Sequence, residues 1–321
     1  MKGIAIAGSV LVDRINEVAL YPKSGELTKI LNVSRAVGGC VPNVAIDLKT
    51  LAPALDVSAL GNFGDDEDGA YVKEELASRG IDVSGLVAKK DARTSFTEVI
   101  SVQSGQRTFF TYNGANASFG YDSIDYDALQ VKMLHLGYFL LLDKLDAGEG
   151  VPILKKLQEM GIKTSIDLVS ESASAYRKVL PCLAYTDNLI INETEAGGLT
   201  GMEPTDENLP VIAKKLKEAG VKERVIIHKP EYSLCYSDKL TVLASFDLPK
   251  GFVKGSTGAG DAFCAGCLLA IYNEKSDEDV LRCGSVAAVA ALSAADSVSG
   301  MRSLSDAEEL CATFKRKEIC L

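Results

Sequence analysis

The fold is decided by one glycine-rich stretch, Gly255-Ser256-Thr257-Gly258-Ala259-Gly260-Asp261-Ala262-Phe263-Cys264-Ala265-Gly266. Its early glycines allow a tight turn, and the small and apolar residues behind them predict a helix. The amide N–H groups of such a turn, together with the positive end of the helix dipole, create a binding place for an anion. Residues 255–260 are therefore predicted to form a loop that binds an anion, called the anion loop below.

A carboxylate stands at the end of this loop. The G-x-x-x-x-G spacing from Gly255 to Gly260 matches the opening of a Walker A loop, but Asp261 and Ala262 occupy the positions of its Lys and Ser/Thr. A lysine there would attract phosphate, whereas an aspartate repels it. We therefore expect Asp261 to face a hydroxyl group and take its proton, while the loop amides stabilise a phosphoryl group in transfer. The alternative interpretation is that Asp261 only caps the helix.

The composition indicates a globular protein with small-molecule partners. The 321 residues suffice for one large α/β domain or two smaller ones, and 47% of them are hydrophobic. The net charge is −10 and no basic run exceeds three residues, so we expect neither nucleic acid nor an anionic membrane as a partner. No apolar run approaches membrane-spanning length, and the apolar start is interpreted as a buried strand rather than a signal peptide. We therefore expect a cytoplasmic protein.

The cysteines and histidines do not form a recognisable motif. Eight cysteines are scattered along the chain, and one pair, Cys264-x-x-Cys267, has the spacing of a zinc or redox motif. No second Cys or His pair stands at ligand spacing, so we interpret this pair as helix packing. His135 and His228 are the only histidines, and His135 is predicted to be a core residue.

Strand and helix patterns alternate along most of the chain. This alternation predicts an α/β fold with a doubly wound, mostly parallel sheet flanked by helices. Two segments outside the alternation, roughly 10–37 and 93–113, are predicted to pair as a small β-strand lid, the second with a turn at 104–106. The simplest organisation is a single domain, residues 1–321. Predicted strands lie at 3–9, 56–60, 131–136, 164–167, 188–191 and 224–228, with a hairpin at 234–246, and predicted helices at 41–51, 148–160, 193–199, 206–219, 260–273, 278–295 and 305–316, plus one that ends near residue 79.

Three motifs, in this order and spacing, resemble the PfkB family of carbohydrate kinases, also called ribokinase-like. They are Gly38-Gly39-x-x-x-Asn43, Asn192-Glu193-Thr194-Glu195 and Ser256-Thr257-Gly258-Ala259-Gly260-Asp261-x-Phe263-x-x-Gly266. The turn at 61–69 and the alanine-rich stretch at 287–295 extend the resemblance over essentially the whole chain. The resemblance implies ATP-dependent transfer of the γ-phosphoryl group to a hydroxymethyl group of a sugar or related alcohol. It also implies Mg²⁺, a lid over the sugar and a homodimer formed through the lid.

The resemblance also implies roles for individual residues. Asp261 matches the catalytic base, with the amides of Gly258, Ala259 and Gly260 as its anion hole. Asp13, Gly39 and Asn43 match sugar-contacting positions. Asn192 and Glu195 match the motif linked to Mg²⁺ and phosphate, and a capping box is the alternative for this pair. Thr257 is expected to contact phosphate or ribose, or to serve only as a turn hydroxyl.

Several positions depart from the family pattern. Ribokinases carry Asn and Glu where this chain has Leu11 and Gly137, which disfavours ribose because its hydroxyls would lose partners. The turn at 39–45 is closer to the fructokinase version. The segment 227–232 lacks the two glycines of a T-x-G-x-x-G nucleotide contact, and Lys229 there is either a phosphate contact or a surface residue. Gly255 replaces an Asp, which leaves monovalent-cation dependence open.

Two other functions stay open. A nucleoside kinase of the same superfamily would need stacking residues, and the lid offers Phe96, Phe109, Phe110 and Tyr112. A non-catalytic sugar sensor would explain the altered 227–232 segment, but it would have no need of a base in an anion hole.

Overall fold

The computed structural model describes residues 1–102, 106–169 and 175–319. Its strands are β1 (Ile4–Gly8), β2 (Leu11–Val18), β3 (Ile30–Gly38), β4 (Val57–Gly64), β5 (Asp82–Lys89), β6 (Ser95–Val102), β7 (Arg107–Tyr112), β8 (Met133–Phe139), β9 (Lys163–Leu168), β10 (Asn188–Asn192), β11 (Arg224–His228), β12 (Tyr232–Tyr236) and β13 (Leu240–Ala244). Its helices are α1 (Cys40–Leu51), α2 (Glu67–Ser78), α3 (Gly150–Glu159), α4 (Glu193–Thr200), α5 (Leu209–Glu218), α6 (Ala259–Tyr272), α7 (Asp277–Leu292) and α8 (Leu304–Ala312).

The larger sheet has the strand order β13-β12-β11-β10-β9-β8-β1-β4-β5. The strands from β11 to β5 pair in parallel, and β12 and β13 extend the sheet as an antiparallel hairpin. Side chains of β1 alternate between the two faces: Ile4 and Ile6 pack in one core with α1, α6 and α7, and Ala5 and Ala7 pack in a second core with α3 and α5. The predicted doubly wound, mostly parallel sheet is confirmed.

The smaller sheet has the order β3-β2-β6-β7 and is called the lid sheet below. Strands β2 and β6 pair in parallel, so the segments that we expected to pair do so. Strands β3 and β7 lie at its edges, each antiparallel to its neighbour. Part of the predicted turn at 104–106 lies outside the described residues.

One strand was missed by the sequence analysis, and one predicted turn was placed wrongly. Strand β5 was not predicted, because only Leu86 of its side chains is buried and the strand therefore lacks an apolar pattern. The predicted turn at 61–69 begins too early, since residues 61–64 continue β4. Glycines suit this strand because a β-carbon at Gly61 would lie 2.5 Å from Cγ2 of Val10, and one at Gly64 would lie 2.3 Å from the amide nitrogen of Thr94.

The topology brings the predicted site residues to one edge of the larger sheet. The carboxyl ends of β1, β8, β9 and β10 lie there, because these strands are parallel neighbours. Helices α1 and α6, which begin beside this edge, pack against each other. In open α/β sheets this edge is where ligands bind. Among the described helices, none combines the length and apolar character that a membrane span requires.

Candidate active site

The anion loop leads into α6 through a left-handed residue. Gly258 is the N-cap of the helix with φ 78° and ψ −5°. A β-carbon on it would lie 2.6 Å from the Cα of Ser297, so both the backbone and the space require glycine. The Ala259 N–H bonds the Ser256 carbonyl at 3.3 Å, which closes the turn. The N–H groups of Gly260 and Asp261, like the first N–H groups of any helix, have no acceptor within α6.

Asp261 lies inside the first turn of α6 and is only 6% exposed. Its Oδ2 accepts hydrogen bonds from Nδ2 of Asn43 at 2.9 Å and from the hydroxyl of Tyr138 at 3.0 Å. Burial, aided by the negative charge of Asp167, raises the pKa of Asp261 to about 7, against the effect of these two hydrogen bonds. Because Gly258 holds the N-cap position, the capping interpretation of Asp261 is wrong. The carboxyl titrates where a general base is most effective.

Two residues that the sequence did not single out support this carboxylate. Ser297 donates from Oγ to Oδ1 of Asn43 at 3.2 Å, which orients the Asn43 amide toward Asp261. Tyr138 has a positive φ of 61°, although it is not glycine. Its N–H donates to Oδ1 of Asp167 at 2.6 Å. A non-glycine residue in this conformation beside a buried carboxylate is typical of a functional site.

Asp13 lies on β2 of the lid sheet, close enough to Asp261 for the two carboxylates to interact electrostatically. Burial raises its pKa to about 6, and the positive charge of Arg107 opposes the shift. A β-carbon on Gly38 would lie 2.6 Å from Oδ2 of Asp13, so glycine there makes room for the carboxylate. Gly39, with φ 87°, is required for a different reason, because its β-carbon would lie 2.7 Å from the carbonyl oxygen of Ser9. Asp13, Gly39 and Asn43 therefore lie near Asp261, around the start of α1.

Arg107 joins the lid sheet to the anion loop. Its Nη1 donates to Oγ1 of Thr257 at 2.6 Å, and its Nη2 donates to the carbonyl of Ala295 at 3.2 Å. No local sequence pattern indicates this contact, since Arg107 and Thr257 are 150 residues apart. The hydroxyl of Thr257, which we expected to contact phosphate or ribose, is thus hydrogen-bonded to an arginine of the lid sheet.

Asn192 and Glu195 form the capping box that we gave as the alternative interpretation. Oδ1 of Asn192 accepts from the Glu195 N–H at 2.9 Å, and Oε2 of Glu195 accepts from the Asn192 N–H at 3.0 Å. Glu195 is nevertheless on the wall of a cavity of about 230 Å³ that Asp167, Asp261 and Gly260 also line. A carboxylate can accept further bonds beyond those of the cap, so the cap does not prevent a metal role.

A larger cavity, of about 680 Å³, opens on the other side of the anion loop. Its walls are mainly apolar and include Pro230, Phe246, Val253, Ala259 and Phe263. This volume is in the usual range for small-molecule sites. Residues of the anion loop line it, and one of them, Gly260, also lines the smaller cavity beside Asp261.

The altered segment 227–232 forms part of this wall. Burial lowers the pKa of His228 to about 4, so the ring is neutral at pH 7, and it packs on Phe263 with the ring centroids 4.8 Å apart. Nζ of Lys229 lies 2.8 Å from Asp206 and 3.3 Å from Glu231. Lys229 is therefore paired with carboxylates on the wall of this cavity, and its contact with phosphate stays a prediction.

Comparison with known proteins identifies relatives over nearly the whole length. Residues 1–303 match the family described as pfkB family carbohydrate kinase. A ribokinase of Arabidopsis thaliana is 26% identical over 290 residues, which are 89% of this chain and 74% of that protein. A probable fructokinase-6, chloroplastic, of the same plant is 28% identical over 265 residues, which are 77% of this chain and 66% of that protein.

The fold is also that of solved structures. The structure of Arabidopsis thaliana ribokinase complexed with ribose and ATP aligns with a TM-score of 0.83 at 22% sequence identity. The alignment covers 97% of this chain and 98% of that chain, so both sheets are shared.

Proposed function

Because the chain belongs to the pfkB family of carbohydrate kinases and is a phosphotransferase with an alcohol acceptor, we propose that it transfers the γ-phosphoryl group of ATP to a hydroxymethyl group of a small sugar. The acceptor that we favour is closer to that of a fructokinase than to that of a ribokinase. The observation that carries this proposal is the buried carboxylate of Asp261 in the first turn of α6, with a pKa near neutrality and next to the anion loop.

Asp261 is the proposed general base. The Tyr138 hydroxyl lies 3.0 Å from Oδ2 of Asp261, and an acceptor hydroxyl would have to come equally close to lose its proton to this carboxylate. We propose that the sugar hydroxyl replaces the tyrosine hydroxyl there, gives its proton to Asp261 and attacks the γ-phosphorus of ATP, whose bond to the bridging oxygen breaks so that ADP leaves. The amides of Gly258 and Gly260 would then stabilise the charge on the transferring group, and that of Ala259 would join them on leaving the Ser256 carbonyl.

The nucleotide and the metal are assigned to the two cavities. ATP supplies the phosphoryl group when it is bound, and the cavity of about 680 Å³ has the volume and apolar walls to hold its base and ribose. Thr257, Asn192 and the glycines of the loop would contact its phosphates. Glu195 and Asn192 offer oxygen ligands, which suit Mg²⁺ held partly through water.

The acceptor side disfavours ribose. A β-carbon on Gly137 would lie 2.0 Å from Sγ of Cys40, so the thiol occupies the space above this glycine, where ribokinases carry a glutamate side chain. Leu11 is buried and offers no hydrogen bond. Asp13 and Asn43 remain as polar partners for sugar hydroxyls, and we propose that Gly39 allows the sugar ring to come close.

We also propose a homodimer formed through the lid sheet, and a cytoplasmic location. Ile30 and Val33 of β3 and Phe109 and Phe110 of β7 are each more than half exposed, which is unusual for strands of a monomer. Light scattering should then give twice the mass of one chain, and the mass of a single chain would contradict the dimer.

The cysteines support the proposed cytoplasmic location. Those of the described residues are all unpaired and buried, as in proteins of a reducing compartment.

An ATP-consumption screen tests the proposed function. Ketohexoses, aldohexoses, pentoses, sugar acids and nucleosides are each offered with ATP and Mg²⁺, and the Asp261→Asn variant measures the background. We expect the highest kcat/KM with a ketohexose. Turnover of nucleosides alone would replace the sugar by a nucleoside as the acceptor. Sugar binding without ATP binding in calorimetry would indicate a sensor.

A further inference from the structure

A second group of reactive side chains lies under the acceptor side, and the proposed transfer assigns no ligand to it. Cys40, His135 and Asp167 are all buried, and their potential ligand atoms lie within 4.8 Å of one another. Nε2 of His135 is 3.3 Å from Oδ2 of Asp167 and 3.6 Å from Sγ of Cys264. Cys264, on α6, thus lies beside a group of three potential ligands from α1, β8 and β9.

The distances from Nε2 of His135 to Oδ2 of Asp167 and to Sγ of Cys264 match those between neighbouring ligands of a tetrahedral metal site. Bonds of about 2.0–2.3 Å from zinc to nitrogen, oxygen and sulfur place neighbouring ligand atoms about 3.3–3.8 Å apart. The distances of 3.3 Å and 3.6 Å both lie in this range.

The histidine and the carboxylate are also oriented as metal ligands are. Nδ1 of His135 is hydrogen-bonded to Oγ of Ser165 at 2.9 Å, which fixes the ring with Nε2 toward the cluster. Oδ1 of Asp167 accepts the Tyr138 N–H, so Oδ2 is the oxygen that faces His135. Such outer hydrogen bonds, which hold the ligand side chains in place, are typical of metal sites.

Space and charge favour a cation. A β-carbon on Gly137 would lie 2.0 Å from Sγ of Cys40 and 2.9 Å from Oδ1 of Asp167, so glycine keeps the thiol and the carboxylate close together. Among the described residues, His135 is the one basic side chain within 4.0 Å of the Asp167 carboxylate. A buried carboxylate without Lys or Arg is costly, and a divalent cation would offset that cost.

We propose that Cys40, His135 and Asp167, with Cys264 as the fourth ligand, bind a divalent transition metal of the zinc class. Thiol and imidazole donors select zinc over Mg²⁺, so this site is distinct from the one assigned to Asn192 and Glu195. Binding forms two metal–sulfur bonds and releases the two thiol protons to solvent. Asp167 and Cys264 line the cavity of about 230 Å³, which provides the entry path. The metal would join the starts of α1 and α6 to the floor of the acceptor site.

Cobalt and zinc binding to the tag-free full chain tests this site. The protein is treated with a chelator under reducing conditions, desalted and titrated with Co²⁺, and zinc content is measured by mass spectrometry after gel filtration. We expect one metal per chain, with a thiolate-to-cobalt charge-transfer band and the visible bands of tetrahedral cobalt. Cys40→Ser should weaken binding about 10–100-fold and diminish the charge-transfer band. Cys311→Ser, which removes a buried thiol in α8, is the matched control and should behave as the wild type.

Gly137→Ala provides a second variant that keeps all four ligands. Its methyl group would displace the Cys40 thiol, so cobalt affinity should fall by a similar factor even if Cys40→Ser does not fold. Wild-type protein that retains no zinc after gel filtration would overturn the proposal. So would equal cobalt affinity in the wild type and Gly137→Ala, or identical spectra for Cys40→Ser and Cys311→Ser.

Discussion

On the acceptor side of the anion loop the polar side chains already hold one another, whereas on the nucleotide side the walls are apolar and open. Asp261 is fixed by Asn43 and Tyr138, and Asn43 is fixed in turn by Ser297. The larger cavity has instead a neutral His228 and a paired Lys229. The proposed acceptor side thus offers selection by hydrogen bonds, and the proposed nucleotide side offers selection by shape.

This difference sets the size of the effects that substitutions should have. A buried polar group that loses its hydrogen-bond partner is destabilised by its full desolvation free energy. An apolar wall that loses one contact can repack at a lower cost. Changes near Asp261 should therefore alter kcat or the pH profile strongly. Changes in the wall of the larger cavity should alter the KM for ATP only moderately.

The largest effect is expected for Asp261→Asn. The carboxamide can still hydrogen-bond Asn43 and Tyr138, but it cannot accept the proton of the acceptor hydroxyl. We expect kcat to fall about 10³-fold, within the range of general-base catalysis. The affinity for ATP, measured by calorimetry, should stay within about twofold of the wild type, because the nucleotide side is unchanged. A loss of ATP binding equal to the loss of turnover would show that the two sides are not separate.

The next effect is expected for Arg107→Ala, which removes the contact of the lid sheet with the anion loop. Charge-assisted hydrogen bonds contribute about 1.5–3 kcal/mol, so we expect kcat/KM for the sugar to fall about 10–100-fold. Arg35→Ala is a matched control, since this lid arginine is paired with Glu67 and Asp68 instead. Equal losses in both variants would mean that the arginines only stabilise the lid sheet.

The general architecture follows from local sequence patterns, and the site only in part. Long apolar runs predict the parallel strands, and β-rich segments predict the lid sheet, because both signals lie within a few residues. Tyr138, Arg107 and Ser297 could not be predicted in their roles, since their partners are 123, 150 and 254 residues away. Only the fold brings these pairs together.

Cys264 shows the same limit within one motif. Because no second Cys or His pair stands at ligand spacing, we predicted that Cys264 and Cys267 both pack in a helix, and both are buried in α6. The thiol of Cys267 faces the carbonyl of Val280, as packing requires, but that of Cys264 lies beside His135. A helix with a period of 3.6 residues places the two thiols in different surroundings, which the spacing does not reveal.

A smaller effect is expected in the pH profile of Tyr138→Phe. Activity of the wild type should rise with pH through about 7, as Asp261 loses its proton. The Tyr138 hydrogen bond stabilises the carboxylate and lowers its pKa, so its loss moves the midpoint of kcat/KM upward. A hydrogen bond of about 0.5–1.5 kcal/mol corresponds to a shift of about 0.4–1 pH unit.

The matched change on the nucleotide side is His228→Asn. The pKa of His228 is about 4, so its ring is already neutral where activity rises, and the midpoint should not move. If the midpoint shifts in His228→Asn but not in Tyr138→Phe, the group that titrates is not Asp261 and lies on the nucleotide side of the loop.

The smallest effect is expected for Lys229→Ala. If Lys229 held a phosphate of ATP, its removal would raise the KM for ATP more than tenfold. Its ammonium group is instead held by Asp206 and Glu231, so its charge is already balanced. We expect the KM for ATP to change less than about threefold, because a partly exposed ion pair contributes about 0–1 kcal/mol. Asp206→Asn, which frees the ammonium group, is the informative companion. A lower KM for ATP in Asp206→Asn, lost again in the double variant, would show that the carboxylates keep this lysine from the phosphates.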